Sequence, residues 1–276
     1  MSSAIAARQA TPANRTGRPA ARHLLPLAWA ALLATATGAL QAQQIIAPTA
    51  MVGGVSQSDL MMDYGNWTMS HSVATSPLFD TTGANAAAGD RGSYFYLTGS
   101  LDATPVTRQV TVRTDQTLMI NLISFVYWED PAIRDEAGIR ADLVDLWGTV
   151  SNLSLTVNGA APAMPAGYTS LNQFLQSSPY FPLYLPAGNW YPWPVSPSPA
   201  VVESYMVGLQ GLTPGQHQLR FTSRFDSTGA FTGINGAQDI TYNITAVPEA
   251  STLATLSLGL LVMAAGALRR RRGATA

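Results

Sequence analysis

The sequence has no cysteine and no lysine, and its fifteen basic residues are all arginine. Without thiols, a disulfide framework and a cysteine-ligated zinc or iron–sulfur site are excluded. Charged residues make up 11% of the 276, less than half the roughly one quarter of an average chain. A nucleic-acid-binding protein of this length would carry a basic patch over its body, and none is visible, so no nucleic-acid partner is expected. Disorder is disfavoured by 47% hydrophobic residues and a net charge of −1, because disordered chains combine low hydrophobicity with high net charge. Histidine is scarce too: there are three, and they form neither a His-x-x-x-His nor a His-Glu-x-x-His pair. No Gly-x-Ser-x-Gly elbow is present. We therefore expect no catalytic residue, no metal and no cofactor.

What charge there is falls in three unlike segments. Residues 1–42 carry Arg8, Arg15, Arg18 and Arg22 and no acid, whereas residues 43–247 carry an excess of Asp and Glu. The last segment sets Glu249 against Arg269, Arg270, Arg271 and Arg272. The first segment reads as a secretory signal peptide, with a basic start, an apolar run over Leu24–Leu40 and small residues after it. Cleavage is expected after Ala42, with Ala39 as the alternative site and an uncleaved anchor helix as the alternative reading. The implied partners are the Sec translocon and signal peptidase.

At the other end, Thr252 to Leu268 is a run of seventeen uncharged residues followed by the four arginines. A helix of that length spans about 26 Å, against a hydrocarbon core of ~30 Å, with arginines snorkelling at its end to bridge the difference. The arginine block places that end in the cytoplasm and the body outside, which agrees with the leader. Just before the run stand Val247, Pro248 and Glu249. Val-Pro-Glu, an apolar helix and a basic end, in that order, resemble the PEP-CTERM sorting tail, although Ala250 occupies the third motif position. That resemblance covers about thirty residues. It implies a Gram-negative bacterium that makes exopolysaccharide, and processing by an exosortase after transient anchoring in the inner membrane. A plain C-terminal anchor is the competing reading; it needs the helix and the arginines but not the motif.

The body, residues 43–246, has the size of one large all-β domain. Leu153, Leu155 and Val157 alternate with polar residues, as do Leu219, Phe221 and Phe225, Ile240, Tyr242 and Ile244, and Val106, Val110 and Val112. That period of two marks half-buried strands. Thr117–Trp128 is almost continuously apolar and reads as a central strand covered on both faces. Asn158-Gly159 suits a tight hairpin turn, and Thr213-Pro214-Gly215-Gln216 a type II turn joining a strand near Ser204–Leu209 to one at His217–Phe225. A β-sandwich or jelly roll with one amphipathic helix is expected. That helix is capped by Asp130, begins at Pro131 and stops at Gly148. From Val110 onward the body is similar to a group of exported bacterial β-sandwich proteins. The shared features are Leu118–Trp128, Pro131–Trp147, Leu153–Gly159 and a Leu212–Phe221 hairpin; they bear on fold alone.

Three features of the body bear on chemistry. Asp80 to Asp90 has the oxygens and glycines of a calcium loop without a recognised spacing, and reads instead as a flexible loop. His71, in a polar stretch, and His217 are the candidates for a secreted hydrolase, and His217 reads more simply as a strand-surface or hydrogen-bonded histidine. Tyr180 to Trp193 is the densest aromatic stretch; Trp190, Tyr191 and Trp193 would suit glycan binding if displayed on a loop, and fill the end of the sandwich or pack against the helix if not. The expectation is an exported, non-enzymatic surface or matrix protein associated with exopolysaccharide, with a glycan-binding module and a hydrolase as alternatives.

Overall fold

The computed structural model describes residues 43–101, 104–191 and 198–249. The leader with Ala42, Trp193, the apolar run 252–268 and Arg269 to Arg272 lie outside them. Among the described residues no helix is long and apolar enough to cross a membrane.

The chain is mostly β and forms two packed sheets. The first centres on two long antiparallel strands, β4 (Thr117–Trp128) and β8 (Ser198–Gln210). Strand β2 (Tyr94–Leu97) runs parallel to the start of β4. On the far side of β8, three short strands pair with it in succession: β1 (Gln44–Ile45), β6 (Leu175–Ser177) and β7 (Phe181–Leu183). The second sheet has the order β3 (Val106–Arg113), β10 (Asn235–Val247), β9 (Gly215–Asp226), β5 (Thr149–Val157). Strands β10, β9 and β5 are antiparallel neighbours, while β3 lies parallel to β10.

The expected alternations hold in every strand of the second sheet. Leu219, Phe221 and Phe225, Ile240, Tyr242 and Ile244, and Val106, Val110 and Val112 all turn into the core between the sheets. They meet Leu118, Ile120 and Leu122 of β4 and Val201, Val207 and Leu209 of β8. Each such side chain contributes about 1.5–3 kcal/mol when fully buried.

Strands β4 and β8 are apolar on their other face as well because a helix covers it. Helix α1 (Gln57–Ser70) buries Leu60, Met61, Tyr64 and Trp67 against Met119, Val202, Met206 and Tyr96. Ser56 caps it, its Oγ accepting from the Asp59 N–H at 3.1 Å. Gly65 lies where the helix runs closest to the sheet: a Cβ there would stand 2.5 Å from Val202 Cγ2. The described residues therefore form three layers, helix on sheet on sheet, with two α-helices in the body where one was expected.

The helix that was expected starts later. Helix α2 (Glu136–Trp147) is capped by Asp135, whose Oδ1 accepts from the Gly138 N–H at 2.8 Å. Asp130 instead holds a separate turn, accepting from the Ala132 N–H at 2.9 Å, since the Pro131 ring favours a turn start. The helix end is as expected: Gly148 sits at φ 47°, and a Cβ there would lie 2.2 Å from the Asp226 carbonyl oxygen. Ile139, Leu143, Leu146 and Trp147 join the core between the sheets.

Two turns divide in the same way. Asn158 and Gly159 have positive φ, and Val157 and Ala160 exchange both backbone hydrogen bonds across them, as a tight hairpin requires. Thr213–Gln216 does join the two expected strands, but β8 and β9 belong to different sheets, so the segment is a crossing between layers and not a hairpin. Gly215 has φ 137°, well beyond the ~80° of a type II turn. The His217 ring spans the corner, its Nε2 2.8 Å from the Thr213 carbonyl oxygen.

Candidate functional site

The polar interior is concentrated in two places. The first is Arg108, which interrupts the valines of β3 on their buried face and is 1% exposed. Among the described residues no carboxylate pairs with it. Its Nε donates to the Asp80 carbonyl at 2.7 Å, and Nη1 to the Thr98 carbonyl and the Tyr242 hydroxyl at 2.8 and 2.7 Å. Nη2 donates to the Gly99 carbonyl at 3.0 Å. One guanidinium thus fastens the segment after β2 and the loop at Asp80 to the second sheet. The fork geometry of arginine, with five donors in a plane, suits such a cluster of carbonyls.

The Asp80 loop is ordered by its own carboxylate. Oδ1 accepts from the Thr82 and Gly83 N–H groups at 2.9 and 2.8 Å, and Oδ2 from the Asn85 N–H at 2.8 Å. Burial pushes this carboxyl up, but the backbone donors of Thr82, Asn85 and Gly83 outweigh it and hold it below the usual carboxylate range. The segment is therefore a hydrogen-bonded structure rather than a flexible loop, and this carboxylate is directed at backbone N–H groups. Among the described residues no three His, Asp or Glu side chains are grouped as metal ligands would be.

Neither histidine sits with a serine and an aspartate. The His217 Nδ1 is 3.1 Å from Asn158 Nδ2, so both of its nitrogens serve the corner and the neighbouring hairpin. The His71 ring packs edge-on against Trp67 at 5.9 Å, and its buried Nε2 has no hydrogen-bond partner. Burial, then the charge of Arg91, lowers its pKa.

The second polar place is a cavity of about 420 Å³ beside β4. Strand β2 pairs with β4 only as far as Leu97 opposite Ile120. Beyond that point no described strand lies along the edge of β4, and the cavity occupies the gap between the helix layer and the second sheet. Its walls come from α1 (Tyr64, Thr68), from β4 (Asn121, Ser124, Trp128) and from Phe225 and Gln238 of the second sheet. Asn121 is 2% exposed, and its Nδ2 has no hydrogen-bond partner. An unpaired buried polar group costs about 1–3 kcal/mol. Ser124 and Tyr64 line the cavity beside it; burial, more than any neighbouring charge, pushes the Tyr64 hydroxyl well up, keeping it protonated. The strand bulges between Asn121 and Ile123, and serines take up the carbonyls there: Ser223 Oγ donates to Leu122 at 2.7 Å and Ser204 Oγ to Ile123 at 3.2 Å.

Trp190, from the aromatic stretch, lines one side of this cavity. The Trp190 indole N–H donates to the Thr68 carbonyl at 2.9 Å, and its backbone N–H to the His71 carbonyl at 2.7 Å. Its ring lies edge-on to Phe79 at 5.4 Å. Tyr191 packs on Trp128 at 4.9 Å. Both residues are half-buried against the helix-side core, so they are fastened to the body, and only Trp190 of the two lines the cavity. Trp128, Asn121 and Tyr64 are site residues that sequence reasoning missed. The one signal was an asparagine inside the apolar run Thr117–Trp128.

Of the residues expected to form a sorting motif, Val247 is the last residue of β10, paired with Arg113, and its carbonyl accepts from the Thr114 N–H at 2.9 Å. Pro248 and Glu249 follow with no strand of their own. The folded body thus runs one residue into the motif. No protein-family model, no curated protein and no solved structure matches this chain.

Proposed function

We propose that this is an exported cell-surface or extracellular-matrix protein, non-enzymatic and associated with exopolysaccharide, which an exosortase sorts through its C-terminal tail. In this reading the Sec translocon exports the chain, signal peptidase removes the leader after Ala42, and the apolar run 252–268 holds the body briefly at the inner membrane. The observation that carries it is one run of sequence: Val247, Pro248 and Glu249, then seventeen uncharged residues, then Arg269 to Arg272. Two features support it. The basic leader and the basic tail demand the same topology, and the last strand ends at Val247, so the folded body hands over directly to the motif. Mass spectrometry of the mature protein from its exosortase-bearing host tests it. Loss of residues 252–276 is expected; an intact tail in wild-type cells defeats the sorting claim.

A second reading is saccharide binding by the aromatic stretch. The observation that favours it is Trp190 on the wall of a cavity that it shares with Trp128 and an unpartnered asparagine. The hydrolase alternative gains no such support, since the partners of His217 are Asn158 and the Thr213 carbonyl.

A further inference from the structure

We infer that the cavity along the free edge of β4 is a binding site for a neutral saccharide unit, with Asn121 as its central hydrogen-bond donor. This rests on the saccharide reading above and sharpens it: the ligand enters the body of the protein rather than lying across an open aromatic surface.

The chemistry of the walls narrows the ligand by elimination. Among the described residues, no Asp, Glu, Arg or His side chain lines the cavity. A charged ligand would lose its hydration there without gaining a counter-charge, which is prohibitive. A hydrocarbon would leave the Asn121 amide as unpaired as before. What remains is an uncharged ligand with both apolar faces and hydroxyl or amide groups at its rim. The C–H faces of a pyranose suit the electron-rich faces of aromatic rings such as Trp128 and Trp190. Its hydroxyls can accept from Asn121 Nδ2 and exchange hydrogen bonds with Ser124 and Tyr64. The volume, about 420 Å³, falls within the roughly 300–1,000 Å³ of small-molecule sites, and an apolar lining with a few convergent polar groups is their usual composition.

An added peptide strand is the other occupant that an open sheet edge suggests. The edge argues against it. Strand addition needs a regular run of free N–H and C=O groups, and β4 bulges at the mouth of the gap, which breaks that register. The carbonyls of Leu122 and Ile123 already accept from Ser223 and Ser204.

The test uses the mature, full-length exported protein. Neutral hexose and N-acetylhexosamine oligomers are titrated against it by calorimetry and tryptophan fluorescence, with an oligoglucuronate and an extended uncharged peptide alongside. A neutral oligomer should bind saturably and shift the tryptophan emission. N121L should weaken that binding at least tenfold while leaving the thermal midpoint equal or higher, because a merely structural asparagine would not give both. L101W, at a 57% exposed position on the rim, should weaken it several-fold without touching the core, and so stands in if N121L fails to fold. Binding that survives both substitutions but is lost in Y191A or W193A overturns the cavity and leaves the surface aromatic reading standing. No binding of any neutral oligomer overturns both. Preference for the oligoglucuronate or for the peptide overturns the inference in favour of a charged ligand or of strand addition.

Discussion

At the scale of single residues, the body depends on polar groups buried among apolar neighbours. Arg108 is the clearest, since among the described residues no carboxylate pairs with it and it answers three segments of chain at once. Lysine brings the same charge but one nitrogen, and cannot reach carbonyls on several sides. R108K should therefore lose about 3–5 kcal/mol, the usual cost of stripping partners from a buried charged cluster. Urea denaturation would show it, and a loss below 1 kcal/mol would mean the acceptors are satisfied by water. Asp80 offers a pH test. Its carboxyl titrates below its ordinary value in the fold, so the folded state binds its proton less readily than the unfolded chain. The stability it contributes is complete above the unfolded value of ~3.9 and drains away as pH falls through the folded value. D80N should cost about 2 kcal/mol at pH 7, the scale of hydrogen bonds to a charged acceptor. It should also flatten the fall in stability below pH 4, measured by denaturation across pH.

At the scale of elements, α1 shows what the sequence conceals. Its buried stripe includes Gln57, Gly65 and Thr68 beside Leu60, Met61 and Tyr64, so an apolar count along the helix is diluted, and the period of 3.6 does not stand out. The legible signal was Ser56 with Asp59 three residues on, a capping pattern. Gly65 makes the packing testable. Alanine is better than glycine in a helix by about 1 kcal/mol, but here its Cβ would meet Val202 Cγ2, on a stiff, fully buried side chain. Overpacking of this kind costs about 1–3 kcal/mol. G65A should thus lower the thermal midpoint, and a rise would mean the helix can lift from the sheet. The strands were legible because period-two alternation follows directly from one buried face, as in Ile240, Tyr242 and Ile244. Their partners were not. Turn chemistry at Pro214 and Gly215 says that the chain reverses, not whether the next strand joins the same sheet or the opposite one. The site was hidden for a related reason: Asn121 reads as one polar residue in a strand, and its lack of a partner exists only once α1, β4 and the second sheet have been brought together.

At the scale of the whole molecule, three layers share one central sheet, and the second sheet depends on its last strand. β10 lies between β3 and β9, pairs with both along most of its length, and supplies Ile240, Tyr242 and Ile244 to the core. Tyr242 also accepts from Arg108. The strand ends at Val247, 36% exposed, and the apolar run begins only five residues further on. Those five residues reach at most about 18 Å when fully extended, so a chain anchored through that run would hold the end of the sandwich close to the bilayer. A processing enzyme acting at Pro248–Glu249 would therefore work beside a finished fold. It would leave every described strand intact. A chain of residues 43–249 should unfold in a single cooperative transition at the midpoint of the processed protein, as followed by circular dichroism on heating. A chain ending at Asp239 should not: it strips the centre of the second sheet and leaves the Arg108 guanidinium without the Tyr242 hydroxyl. If the shorter chain folds with the same midpoint, the last strand is dispensable, and processing within the strand would be as compatible with the fold as processing after it.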